Sequence, residues 1–126
     1  MMLTMVVATY LRDIGQGELG NTLFYGFMPH QISTGSVVLC RTPIEEDAYT
    51  GLRKGTFQVV TRDATADLAY NKAAAIRRVL RLEGADIGNV SFKFILPRHD
   101  PLVYPRSDGG LFEASVNYQF SADNWE

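Results

Sequence analysis

His30, His99 and Cys40 are the side chains of this sequence best equipped for acid–base, nucleophilic or metal chemistry. Neither histidine belongs to an HExxH helix or to a Cys/His spacing that would close a tetrahedral zinc site. His99 is followed by Asp100, a pair that could begin a metal site or serve a small hydrolase or nucleotide-binding enzyme. A solvated loop pair is the commoner case. Cys40 ends a Val-Val-Leu run, where a buried and inert thiol is expected. Ser36 follows Gly35 without completing a G-x-S-x-G elbow. Asp108-Gly109-Gly110 has the glycines of a phosphate cradle but no Walker lysine. It leads into a strand rather than a helix, so turn chemistry accounts for it. Glu45, Glu46 and Asp47 could draw a divalent cation, although an acidic run in a loop is usually solvated. No catalytic, cofactor-binding or metal-ligating set emerges, and an enzyme is disfavoured.

Two other features ask for more than folding. Lys72, Arg77, Arg78 and Arg81 occur between Leu68 and Leu82 without an acidic residue. At 100° per residue, Arg77, Arg78 and Arg81 share a face turned away from the apolar stripe of a helix. Cations there complement the helix's carboxyl end. They also suit contact with another subunit's acidic loop, for which Glu45, Glu46 and Asp47 supply the opposite charge. Nucleic-acid binding through the same face is a third reading and would bring steep salt dependence. The second feature is a pair of long loops, 41–55 and 97–110, uncommon on so small a domain unless they have a task. Ile44, Tyr49 and Leu52 in one, and Leu102, Val103 and Tyr104 in the other, would form an adhesive surface if exposed together. Folded back, they would pack locally.

The elements that must carry these residues fit one domain of 126 residues. Size scaling buries about two-thirds of the unfolded surface of such a chain, enough for a core without staples. Hydrophobic residues make up 46%, with seven Phe, six Tyr and one Trp, which excludes a disordered chain. Twelve basic against fourteen acidic residues give a net charge of −2. That balance argues against coating nucleic acid by bulk charge. A single cysteine gives no internal disulfide and no sign of an oxidising compartment. The apolar stretch 1–11 has no preceding Lys or Arg, is shorter than a membrane span and lacks a small-x-small cleavage pattern. A cytosolic chain without membrane contact is expected.

Leu3, Val7, Tyr10 and Ile14 share a helical stripe that should end near Gly15. Residues 21–28 alternate and stop at Pro29. Residues 36–40 read as a short strand, and residues 56–62 alternate cleanly. These three runs suggest an antiparallel meander. Asp63 and Thr65 are capping residues for a second helix over 67–82, with Ala69, Ala73, Ile76 and Leu80 on its buried stripe and Gly84 as its stop. Residues 90–96 and 111–120 complete the strands. In the last, Phe112, Ala114, Val116, Tyr118 and Phe120 share one face, leaving the other free to meet a partner or to join a neighbour edge to edge. The expected class is α+β: a single domain with an antiparallel, mainly meander sheet of about five strands on two helices, and two long projecting loops.

The order of these pieces resembles the tail-terminator proteins of tailed bacteriophages, also known as minor capsid or tail-completion proteins. The resemblance is carried by the first helix, by Leu23-Phe24-Tyr25-Gly26-Phe27-Met28-Pro29 and by Phe57-Gln58-Val59-Val60-Thr61-Arg62-Asp63. The helix over 67–82 and Gly109-Gly110-Leu111-Phe112-Glu113-Ala114-Ser115-Val116-Asn117-Tyr118 complete it. It implies a structural protein that assembles with itself into a ring, commonly hexameric, on the end of the tail tube. Such a ring stops tube growth and offers a surface to head-completion or neck proteins, with DNA only passing through its lumen. It implies residence in the virion at the head–tail junction, assembly in the host cytoplasm, and no cofactor or catalytic residue. A closed ring needs two different, complementary patches on each subunit. Glu45, Glu46, Asp47, Arg53 and Lys54 are the foremost candidates for intersubunit or tube contacts, with Arg77, Arg78 and Arg81 for lateral pairing. A head-to-tail connector or neck protein of the same virion is the alternative.

Overall fold

The computed structural model describes residues 2–106 and 109–123. In chain order its elements are α1 (Leu3–Asp13), β1 (Leu23–Tyr25), β2 (Gly35–Leu39), β3 (Glu45–Glu46), β4 (Arg53–Asp63) and α2 (Ala66–Val79). They continue with β5 (Leu82–Ile87), β6 (Val90–Pro97), β7 (Leu102–Pro105) and β8 (Phe112–Asp123). β4 and β8 pair antiparallel over their length, from Arg53 opposite Ala122 to Asp63 opposite Phe112. Both alternate, so one face of the pair is apolar: Phe57 and Val59 on β4, and Ala114, Val116, Tyr118, Phe120 and Ala122 on β8, all buried.

The expected α+β domain with a five-stranded antiparallel meander is not what forms: the fold is mostly β. Strands hold 43% of the described residues and helices 21%, in one mixed eight-stranded sheet curled into a half-barrel. Its order is β1-β2-β4-β8-β6-β5, with β3 added beside β4 and β7 beside β8. β1 lies parallel to β2 rather than antiparallel, because residues 26–34 leave β1 and return before β2 starts. β8 is an interior strand, with β4 on one edge and β6 and β7 on the other. It therefore cannot join a neighbouring molecule edge to edge; β1 and β5 end the sheet.

The curl has a local cause. β6 is bulged against β8 between Phe92 and Phe94, and a bulge increases local twist. Lys93, inside that bulge, lies across from Gly84, whose φ of +63° is a left-handed conformation suited to glycine. Gly84 thus bends a strand instead of stopping a helix. The result brings both ends of the sheet to α1, which packs on β1, β2 and β5. Leu3, Val6, Val7 and Leu11 fill the concavity, each burial contributing roughly 2 kcal/mol.

α2 begins as its sequence dictates. The Thr65 hydroxyl accepts the Leu68 N–H at 3.2 Å, and Asp67 sits in the first turn. Ala69, Ala73 and Ile76 are buried, and the alanines let the helix approach β4 and β8 closely. Thr61 on β4 donates its hydroxyl to the Ala69 carbonyl at 2.9 Å, tying sheet to helix.

The two long loops are partly strand. β3 and β7 occupy them, and Ile44 and Val103 pack against the core. Asp108, in the turn read at 108–110, lies outside the described residues. On the convex face, residues 26–34 cover a second apolar cluster of Met28, Val37 and Val60. Arg62 fastens that cover: its Nε donates to Glu113 at 3.0 Å, and its Nη1 donates to the carbonyls of Pro29 (3.0 Å) and Ile32 (2.9 Å). No helix among the described residues is long and apolar enough to cross a membrane.

Candidate interaction surface

The acidic run and the basic pair after it form one hairpin. β3 places Glu45 opposite Lys54 and Glu46 opposite Arg53, whose Nη2 lies 3.8 Å from the Glu46 carboxylate. Cross-strand charge pairing explains why two adjacent glutamates form a strand at all. The tip, residues 47–52, is pinned by backbone bonds from Asp47 N–H to the Leu52 carbonyl (2.8 Å) and from Gly51 N–H to the Asp47 carbonyl (2.9 Å). Asp47 Oδ1 also accepts the Tyr49 and Thr50 N–H groups at 2.8 and 3.0 Å. The bonds from Thr50 and Tyr49 hold the Asp47 carboxyl below its ordinary pKa of 3.8, so it stays anionic. Gly51 turns the chain with φ +74°. At the apex Tyr49 is 99% exposed.

The arginine face divides. Arg77 is half-buried and committed to its own chain: Nε donates to the His99 carbonyl at 3.1 Å and Nη2 lies 3.7 Å from Asp100 Oδ1. Arg78 and Arg81 are exposed and have no acidic partner among the described residues. The expected single helical face does not form: α2 ends at Val79 with Leu80 as its cap, so Arg81 lies beyond the helix, just before β5. Arg78 and Arg81 remain exposed, and Arg77 is built into the fold.

His99 fills a gap in the sheet. Between β6, which ends at Pro97, and β7, which starts at Leu102, the Asn117 peptide of β8 faces no strand. Arg98 N–H donates to the Asn117 carbonyl at 2.8 Å, and His99 Nε2 accepts the Asn117 N–H at 3.1 Å. Nδ1 lies 2.6 Å from the Asp100 carbonyl, which can only accept, so the ring proton is on Nδ1. The imidazole that suggested a hydrolase thus completes a β-ladder. Among the described residues no group of three or more His, Cys, Asp or Glu is placed to hold a metal ion.

Cys40 is exposed, not buried as expected, because β2 ends one residue before it. It stands on the wall of an open hollow of about 670 Å³ beside the first turn of α1. Met2, Leu3, Leu39 and Ile44 make that wall apolar, and Arg41 adds a cation. Glu46 and Arg53, at the base of the hairpin, form another side. Neither the hollow nor the apex position of Tyr49 stood out in the sequence. The turn signal of Asp47 and Gly51 around an aromatic residue was the trace of the second.

Residues 10–124 match the family model described as bacteriophage tail terminator protein. The chain belongs to the bacteriophage tail terminator family. The match spans α2, all eight strands and the last turn of α1. No curated protein is similar enough to the chain to count as a match. As a tail terminator the chain is a structural protein of the phage tail and a component of the virion.

Proposed function

We propose that this tail terminator assembles into a closed ring, of six subunits by the family resemblance, which covers the growing end of the tail tube. The ring ends polymerisation sterically and presents a different surface to head-completion or neck proteins. It forms in the host cytoplasm and stays at the head–tail junction. The protein acts by binding alone, without catalysis or cofactor. The family match over residues 10–124 carries this reading.

The geometry lends support. Each subunit of a ring needs two unlike patches. The hairpin of Glu45, Glu46, Asp47, Arg53 and Lys54 is one candidate, exposed yet held in shape by its own bonds. The carboxyl end of α2, with Arg78 on the helix and Arg81 just beyond it, is a second. Arg77 contributes by holding the 99–100 segment beneath that end.

The test is assembly. Light scattering and negative-stain images of the purified protein, alone and with the virus's own tail tube protein, should show closed oligomers and tubes of arrested length. Monomers in both conditions, with tubes growing unchecked, would overturn the proposal. Closed oligomers that bind the portal-side protein and ignore the tube would favour a connector instead.

A further inference from the structure

We propose that Tyr49 is a docking knob that seats in the hollow of a second copy of this chain. The inference rests on the ring reading and names its lateral contact.

Four observations point the same way. Tyr49 exposes its whole ring, and Tyr is a residue type enriched among those that dominate interface energetics. The backbone beneath it is already fixed by the Asp47 bonds, so little conformational freedom is lost on docking. The hollow, at about 670 Å³, has the roughly 300–1,000 Å³ of pockets that hold drug-sized ligands, so it has room for the Tyr49 ring and part of the tip, and its Met2, Leu3, Leu39 and Ile44 walls suit a ring. Charge sets the register: Asp47 travels with the knob, and Arg41, without an acidic partner among the described residues, waits on the wall.

Knob and hollow belong to the same chain, yet the knob does not fill its own hollow. Glu46 and Arg53 at the base of the hairpin border the hollow, whereas Tyr49 stands at the apex, fully exposed. The occupant is therefore another molecule, and one surface on each copy engaging a different surface on the next is a head-to-tail contact, the kind a ring is built from when its rotation closes.

Cys40 on the wall supplies a direct test, because it is the chain's only cysteine. Tyr49→Cys loses the same ring as Tyr49→Ala, so it is oxidised by dissolved oxygen with a copper catalyst at well over tenfold the wild-type assembly concentration, where it should crosslink to Cys40 of the adjoining copy. A non-reducing gel should show a ladder of multimers, and the same substitution with Cys40→Ser should show none. Tyr49→Ala should assemble at least tenfold less readily than wild type, with the protomer melting temperature unchanged. An assembled but unladdered Tyr49→Cys protein would overturn the knob and leave the ring standing, as would full assembly of Tyr49→Ala. A dimer that persists with Cys40→Ser would mean tip-to-tip contact and would also overturn it. Wild-type protein that never assembles, even with tube protein, would remove the ring itself.

Discussion

The hydroxyl of Tyr118 lies in the core without a hydrogen-bond partner among the described residues. Its ring stacks on Phe57 at 5.1 Å, so the aromatic part is well placed and only the oxygen is costly. Burial pushes its ionisation far above the ordinary value, partly opposed by the Arg77 charge. Tyr118→Phe keeps the stack and removes the stranded oxygen. It should stabilise the fold by about 1 kcal/mol, read as a higher urea midpoint at unchanged slope; a lower midpoint would mean the hydroxyl has a partner. Arg62 is the opposite case. It is 7% exposed but engaged through Nε and Nη1, with a carboxylate and two carbonyls. Arg62→Met leaves those groups facing an apolar chain and should cost about 3 kcal/mol. Adding Glu113→Leu should recover part of the loss, and a double-mutant cycle in urea checks the coupling.

The Asp47 tip shows how an element can depend on one side chain. Since its folded pKa is lowered, the carboxylate's contribution is present above the unfolded value and is lost as pH falls through the folded one. Protection of the Tyr49 and Thr50 amides against hydrogen exchange, taken relative to the unstructured rate at each pH, should accordingly persist at the ordinary pKa of 3.8 and fall only at lower pH. Asp47→Ala should remove that protection at every pH, with the core strands unaffected. If protection in the unmutated protein disappears well above 3.8, the carboxylate is not the pin. Elements were readable wherever local pattern decided them: the Thr65 cap, the stripe of α2 and the alternation of β4 and β8. They were unreadable where distant partners decided. β5, with Glu83, Gly84 and Asp86, has no clean period and is held by β6. β7 follows Pro101 and ends on Pro105, and its pairing depends on β8. The direction of β1 follows from the path of residues 26–34, which no periodicity encodes. Likewise, Arg77 differs from Arg78 and Arg81 only because His99 and Asp100 arrive from 22 and 23 residues further along the chain.

At the scale of the whole molecule, the hairpin's charges decide how much of a ring could be ionic. Glu45, Glu46 and Asp47 carry three negative charges, and Arg53 and Lys54 return two positive ones, leaving one net negative charge. Arginines on the next subunit would therefore meet a nearly balanced element. Exposed ion pairs are worth about 1 kcal/mol or less and are screened by salt. The arginines should trim the affinity that an apolar contact supplies, not provide it. Arg77→Glu is a poor probe, because it would also release the His99 carbonyl and bring two acids together at Asp100. Arg78→Glu with Arg81→Glu leaves every described bond of the protomer in place. The double variant should assemble only at about tenfold higher concentration in low salt, a penalty of about 1.4 kcal/mol. Light scattering across a dilution series should show that penalty shrinking at about 1 M salt, where the screening length is roughly 3 Å. Identical assembly curves in low salt would take the carboxyl end of α2 out of the interface, and a penalty that salt leaves unchanged would assign these arginines a packing role rather than an ionic one.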